Sequence, residues 1–127
     1  MLTPINPPGA AWAGISQAMK IDGGGIFISG GHCGLDDKGE PVEGMQAQIE
    51  AMFLGLKRTL AAAGLGFEHV ARTTCFVRAF SPELLATIRA VRATHYNMEC
   101  PPASVMVQTG LYDPRLLAEI EVIAVIP

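Results

Sequence analysis

"LLAEIEVIAVIP", residues 116–127, is almost continuous hydrocarbon with two carboxylates set one residue apart. Successive side chains of an extended chain point to opposite faces, so Glu119 and Glu121 share one face while Ala118, Ile120 and Val122 share the other. The apolar face belongs in a core. An unpaired carboxylate buried in a core is expensive. The acid-bearing face is therefore a solvated rim, a set of ion pairs or the wall of a cleft, and the residues alone leave all three open.

Working outward, "SVMVQ" (104–108) follows Pro101 and Pro102 and reads as a strand. Its consecutive apolar residues suit a strand covered on both faces, by helices on one side and by neighbouring subunits on the other. "HVARTTCFV" (69–77) is β-branched and reads as a strand, and so do residues 17–21 and "IFISGG" (26–31), which are separated by a turn at "DGGG". The Pro- and Gly-rich opening segment reads as coil. Met45, Ile49, Met52, Phe53, Leu56 and Leu60 step by three and four, which predicts a helix over 45–63 closing at Gly64. "SPELL" starts a second helix, with Ser81 capping and Pro82 in the first turn, running to about Tyr96 with Leu84, Leu85, Ile88 and Val91 inward. The order β-β-α-β-α-β-β predicts one α+β domain over residues 1–127, with two helices on one face of its sheet.

Half of the 127 residues are hydrophobic and the mean hydropathy is +0.32. That is greasy for a small domain and predicts a homo-oligomer that hides part of its surface. Charges, Gly and Pro interrupt every apolar run short of a membrane span, and the N-terminus shows no secretory leader pattern. Cys33, Cys75 and Cys100 have no metal-type spacing, and their odd number argues against a disulfide framework. The expected setting is the reducing cytoplasm. A net charge of −3 without a basic cluster excludes the electrostatic footprint that nucleic acid requires.

The chain resembles the RidA/YjgF family over nearly its whole length. The resemblance lies in "SQAMKI" (16–21), "FISG" (27–30), Gln48 leading to "LGLKRTLAAAG" (54–64), "VARTTCFV" (70–77), "PPAS" (101–104) and "LAEIEVIAV" (117–125), in that order and spacing. It implies a chorismate-mutase-like fold, a barrel-forming homotrimer and clefts between subunits. It also implies cofactor-free hydrolysis of reactive enamines and imines, with an arginine gripping the substrate carboxylate and a last-strand glutamate handling water. That glutamate maps onto Glu119. The arginine's position holds Ser104, a usual tyrosine is Ile15, a helix asparagine is Arg89, and a usual glutamine is Gly31, next to His32 and Cys33.

Glu119 is therefore the candidate catalytic residue, and Glu121 the structural one. Arg89 and Arg92, three apart on one helix face, compete between a solvated surface and a carboxylate clamp, for which a planar guanidinium fork is suited. The backbone at Gly30 and Gly31 offers N–H groups to a carboxylate or oxyanion. His32, Cys33 and Ser104 are expected to line the pocket. A nucleophilic Cys33 or a metal at His32 and Cys33 is disfavoured, since adjacent extended residues point apart and no third ligand has zinc spacing. Cys75 and Met106 are read as core, His69, His95 and Tyr96 as structural, and Trp12 as a residue able to close over a cleft. The expected ligand is a small molecule. The alternative reading is a non-catalytic small-molecule-binding trimer of the same fold.

Overall fold

The closing strand becomes the middle of the main sheet. The computed structural model describes residues 2–6, 8 and 14–127. Along the chain come β1 (Leu2–Ile5), β2 (Ala18–Ile21), β3 (Gly25–Ile28), β4 (His32–Cys33), α1 (Met45–Ala62), a 3₁₀ turn (Phe67–His69), β5 (Val70–Val77), α2 (Pro82–Ala93), β6 (Ala103–Gln108) and β7 (Ala118–Ile126). The main sheet has the order β3-β7-β5-β6, with β4 also paired to β7. Within this sheet β5 and β6 run parallel, and α2 makes the crossover such a pair needs. This is the expected α+β arrangement, with both helices on one face.

The alternation of β7 sets the two faces. Ala118, Ile120, Val122 and Ala124 are buried in the core with Met52, Phe53, Leu56 and Leu60 of α1 and Leu84, Ile88 and Val91 of α2. Glu119, Glu121 and Ile123 turn to the opposite, open face and are only half-buried. Both helices are bounded by the residues that predicted them. Gly64 adopts φ 72° after α1, and the Leu65 and Gly64 amides donate to the Leu60 and Ala61 carbonyls, a Schellman closure. At α2 the Leu84 amide donates to Ser81 Oγ at 3.0 Å.

Four boundaries differ from the sequence reading. The opening segment contains β1, which pairs antiparallel with β2 in a separate two-stranded ribbon. Pro4 fits there because a two-stranded ribbon is all edge. The strand predicted over 26–31 ends at Ile28, since Ser29 leaves the ladder to hydrogen-bond Val122 through both its backbone and its hydroxyl. His32 and Cys33 then rejoin β7 as β4. Helix α2 stops at Ala93 rather than Tyr96, where Thr94 Oγ1 donates to the Val91 carbonyl at 2.7 Å. Tyr96 instead folds into the core against Phe53 and Phe67.

On β6, Met106 packs toward the core, while Val105 and Val107 remain 38% and 40% exposed on the open face. One chain thus supplies only the helical cover. Trp12 lies outside the described residues. Among those residues no helix is long and apolar enough to cross a membrane.

Candidate functional site

Glu119 sits where three strands meet. Its register partners are Cys33 on β4 and Phe76 on β5. The Cys33 thiol donates to Glu119 Oε1 at 3.0 Å. Burial, that hydrogen bond and the charge of Glu119 together push the Cys33 thiol up to about 12. It is therefore a protonated donor at neutral pH, not a thiolate nucleophile. The other carboxylate oxygen, Oε2, has no hydrogen-bond partner among the described residues. It lies over Gly31, where an added Cβ would come within 2.6 Å of it. Gly31 is thus needed for the close approach of the carboxylate, not for an unusual backbone angle.

His32 turns the other way, as neighbouring extended residues must. Its Nδ1 is 3.0 Å from the Gly30 carbonyl and its Nε2 is 2.7 Å from Thr59 Oγ1 on α1. A carbonyl only accepts, so Nδ1 carries a proton in this arrangement. The Gly30 carbonyl also accepts from Ser29 Oγ at 2.9 Å. The bonds that fix this turn use the Gly30 carbonyl, not the N–H groups of Gly30 and Gly31.

The β6–β7 loop leads into the end of β7 that carries Glu119, and two anchors fix it, half-buried Arg78 and buried Gln48. Arg78 donates from Nε to the Leu116 carbonyl at 2.9 Å and from Nη2 to those of Leu111 and Asp113 at 3.2 and 2.6 Å. Gln48 on α1 donates to the Val42 and Arg115 carbonyls, both at 3.0 Å, and accepts from the Leu117 amide at 2.7 Å. Exposed Tyr112 projects from this loop. Its phenol is raised by slight desolvation and by the acidic groups around it, the carboxylates of Asp113, Glu119 and Glu40 among them. Asp113 itself is held down to about 2, chiefly by hydrogen bonds from Arg115.

The expected site residues thus divide. Glu119, Cys33 and Gly31 come together, with Gly30 adjoining, and His32 supports them from the helix side. Arg89 is exposed on α2, in the layer across the sheet from Glu119. Arg92 is half-buried, and burial is the main cause lowering its guanidinium; its Nη2 and Nε would lie 3.6 and 3.9 Å from a Cβ added at Gly14. Ser104 is the register partner of Thr73, three positions from Phe76, so within one chain it does not meet Glu119. His69 accepts from the Gly66 amide at 2.9 Å, and His95 stacks on Phe53, both structural placements. Among the described residues no three His, Cys, Asp or Glu side chains converge as metal ligands.

Sequence reasoning missed Arg72, Phe76, Tyr112 and Arg78. Alternation along "ARTTCF" places Arg72, Thr74 and Phe76 on one face. What it lacks is the register that turns this face toward Glu119 and Glu121.

The family model described as Endoribonuclease L-PSP matches residues 6–126. Protein DfrA of Myxococcus xanthus is 35% identical over 112 residues, covering 87% of this chain and 83% of that protein. A RutC family protein of Synechocystis is 26% identical over 112 residues, covering 86% and 85%. Among solved structures, the Rid family protein YyfB of Yersinia pestis superposes with a TM-score of 0.89 at 30% identity over 98% of both chains. RidA of an Antarctic Psychrobacter gives 0.72 at 28% identity over 92% of both chains.

Proposed function

The chain belongs to the endoribonuclease L-PSP family, which is the RidA/YjgF family, and from that premise we propose that it hydrolyses a small carboxylate-bearing enamine, imine or related intermediate. The site is a cleft between subunits of a cytoplasmic homotrimer, and Glu119 handles the water. One observation carries this reading: a half-exposed carboxylate with one oxygen held by the Cys33 thiol and the other lying over Gly31 without a partner among the described residues.

The free oxygen accepts a proton from water as the water oxygen adds to the C=N carbon. In the carbinolamine formed from the N-protonated imine that proton passes to the nitrogen, the hydroxyl proton returns to the carboxylate as the C–N bond breaks, and ammonia leaves a carbonyl behind. An enamine enters the same route after protonation at carbon. Cys33 keeps the carboxylate oriented through these transfers, and no cofactor is called for. A polynucleotide suits the open face poorly, because that face presents two carboxylates to one cation.

Amino-acid oxidase generates a panel of 2-imino acids, with semicarbazide competing for them. The expected result is imine clearance accelerated by the wild type and abolished by Glu119→Gln. Equal turnover by the variant removes Glu119 from the role assigned to it. Ser104, a hydroxyl where a cation would grip a carboxylate, favours the second reading, a small-molecule-binding trimer without turnover. Ligand binding with no acceleration on any imine would select that reading.

A further inference from the structure

Among the described residues, Arg72 is the cation on the open sheet face. The other basic side chains are placed elsewhere. Arg78 is spent on three carbonyls, Arg115 is paired with Glu40 and Asp113, and Lys20 with Asp22. The remainder sit on α1, on α2 or in the loop after β4. Arg72 is exposed, lies opposite Ile123 of β7, and has no hydrogen-bond or ion-pair partner among the described residues.

Two adjoining grooves share this guanidinium. One, of about 430 Å³, is lined in part by Ser104, Val105 and Ile123. The other, of about 320 Å³, is lined in part by Thr74, Glu121 and Ile123. Glu121 is the partner of Thr74, two positions along β5 from Arg72, and Glu119 the partner of Phe76, two further. At roughly 3.3 Å per residue these acids stand about 7 and 13 Å along the strand from Arg72. Glu121 likewise makes no ion pair among the described residues. The face is therefore a linear array, positive at Arg72 and then negative at Glu121 and Glu119, with apolar Ile28 and Ile123 beside it.

We propose that this groove binds a zwitterionic chain, with a carboxylate on Arg72 and a cationic nitrogen at Glu121, the two separated by a short methylene spacer. An α-amino or α-imino acid, with both groups on the same carbon, is too short to satisfy both ends and would bind more weakly through one of them. A second carboxylate on the ligand would be repelled by the acids. The reaction proposed above adds a further consequence, which rests on that reading. The preferred imine at Glu119 would be of the ω-imino carboxylate type, its C=N carbon several bonds from the carboxylate, with 2-imino acids turned over as poorer substrates held at one end only.

The test measures binding and needs no turnover. 5-Aminovalerate, a stable amine of this type, and alanine are titrated calorimetrically into wild type, Arg72→Gln and Arg89→Gln. In parallel, phenylglyoxal labelling of wild-type arginines is mapped by mass spectrometry with and without 5-aminovalerate. The expected result is tighter binding of 5-aminovalerate than of alanine. It should weaken about tenfold or more in Arg72→Gln, as for loss of a charge-assisted hydrogen bond, and be unchanged in Arg89→Gln. Labelling of Arg72, not of Arg89, should be suppressed in the wild type, a readout independent of how the variant folds. Absence of binding, equal affinity for alanine, dependence on Arg89, or an unprotected Arg72 would each overturn the proposal. Imine inactivity with this binding intact defeats only the hydrolytic reading, while turnover indifferent to Arg72 defeats only this one.

Discussion

At the scale of single residues, the position of the Glu119 carboxylate depends on what is missing beside it. Gly31 has an ordinary backbone angle, yet a methyl group there would press on Oε2, Cδ and Cγ of Glu119 at 2.6, 2.7 and 3.0 Å. The carboxylate would have to swing away, straining its hydrogen bond with Cys33. Gly31→Ala is expected to leave the melting temperature near that of the wild type, because Gly31 is exposed and outside the strand ladder. Turnover should fall by about a hundredfold if the reacting geometry shifts by an ångström or so. Steady-state kinetics beside a thermal melt checks this, and unchanged turnover would mean that the present carboxylate position is not the reactive one. Alternation in β7 made it legible that Glu119 and Glu121 face away from the core, and the family resemblance chose Glu119 between them. Its partner Cys33 was not legible, because the two lie 86 residues apart and only the β4–β7 register brings them together. Adjacent-residue geometry did foretell that His32 and Cys33 diverge.

At the scale of elements, the site depends on a loop that has no regular structure of its own. Gln48, buried on α1, ties the Val42 carbonyl before the helix to Arg115 and Leu117 before β7. Gly34 lies against the Gln48 backbone so closely that an added Cβ would overlap its carbonyl oxygen. Gln48→Ala removes three hydrogen bonds in a part-buried setting and is expected to cost about 3 kcal/mol, at roughly 1 kcal/mol each. Urea unfolding measures this, and a loss well below 1 kcal/mol would mean that water replaces the amide. Both helices were readable from periodicity and punctuation, since Ser81, Pro82 and Gly64 act on their immediate neighbours. The edge elements were not. β1 and β4 are short, and their pairing is decided by distant partners, Met19 for Pro4 and Ile120 for His32. The same limit hid Arg72, whose residue type was visible but whose facing strand was not.

At the scale of the whole molecule, a sheet covered by helices on one side leaves the other side to be explained. Ile26 and Ile28 are 62% and 73% exposed on β3, and Val105 and Val107 continue the apolar surface on β6. Arg72, Glu121 and Glu119 run between these edges. The high mean hydropathy pointed to such a surface, but the folded chain shows where it is and that the proposed site lies within it. In a homotrimer built on this face, one assembly step hides the isoleucines and gives the clefts their second wall. Ile28→Asp tests that coupling, since an aspartate buried without a partner at the interface is heavily penalised, while on an isolated chain it meets only solvent. Sedimentation should give a trimer for the wild type and a monomer for the variant, with the helical circular-dichroism signal retained. Binding of 5-aminovalerate should weaken along with assembly if the neighbouring copy closes the groove. The wild-type melting temperature should also rise with protein concentration, because association stabilises the folded chain by mass action. A variant that remains trimeric would move the interface away from β3, and a monomeric wild type would leave each groove to bind its ligand within a single chain.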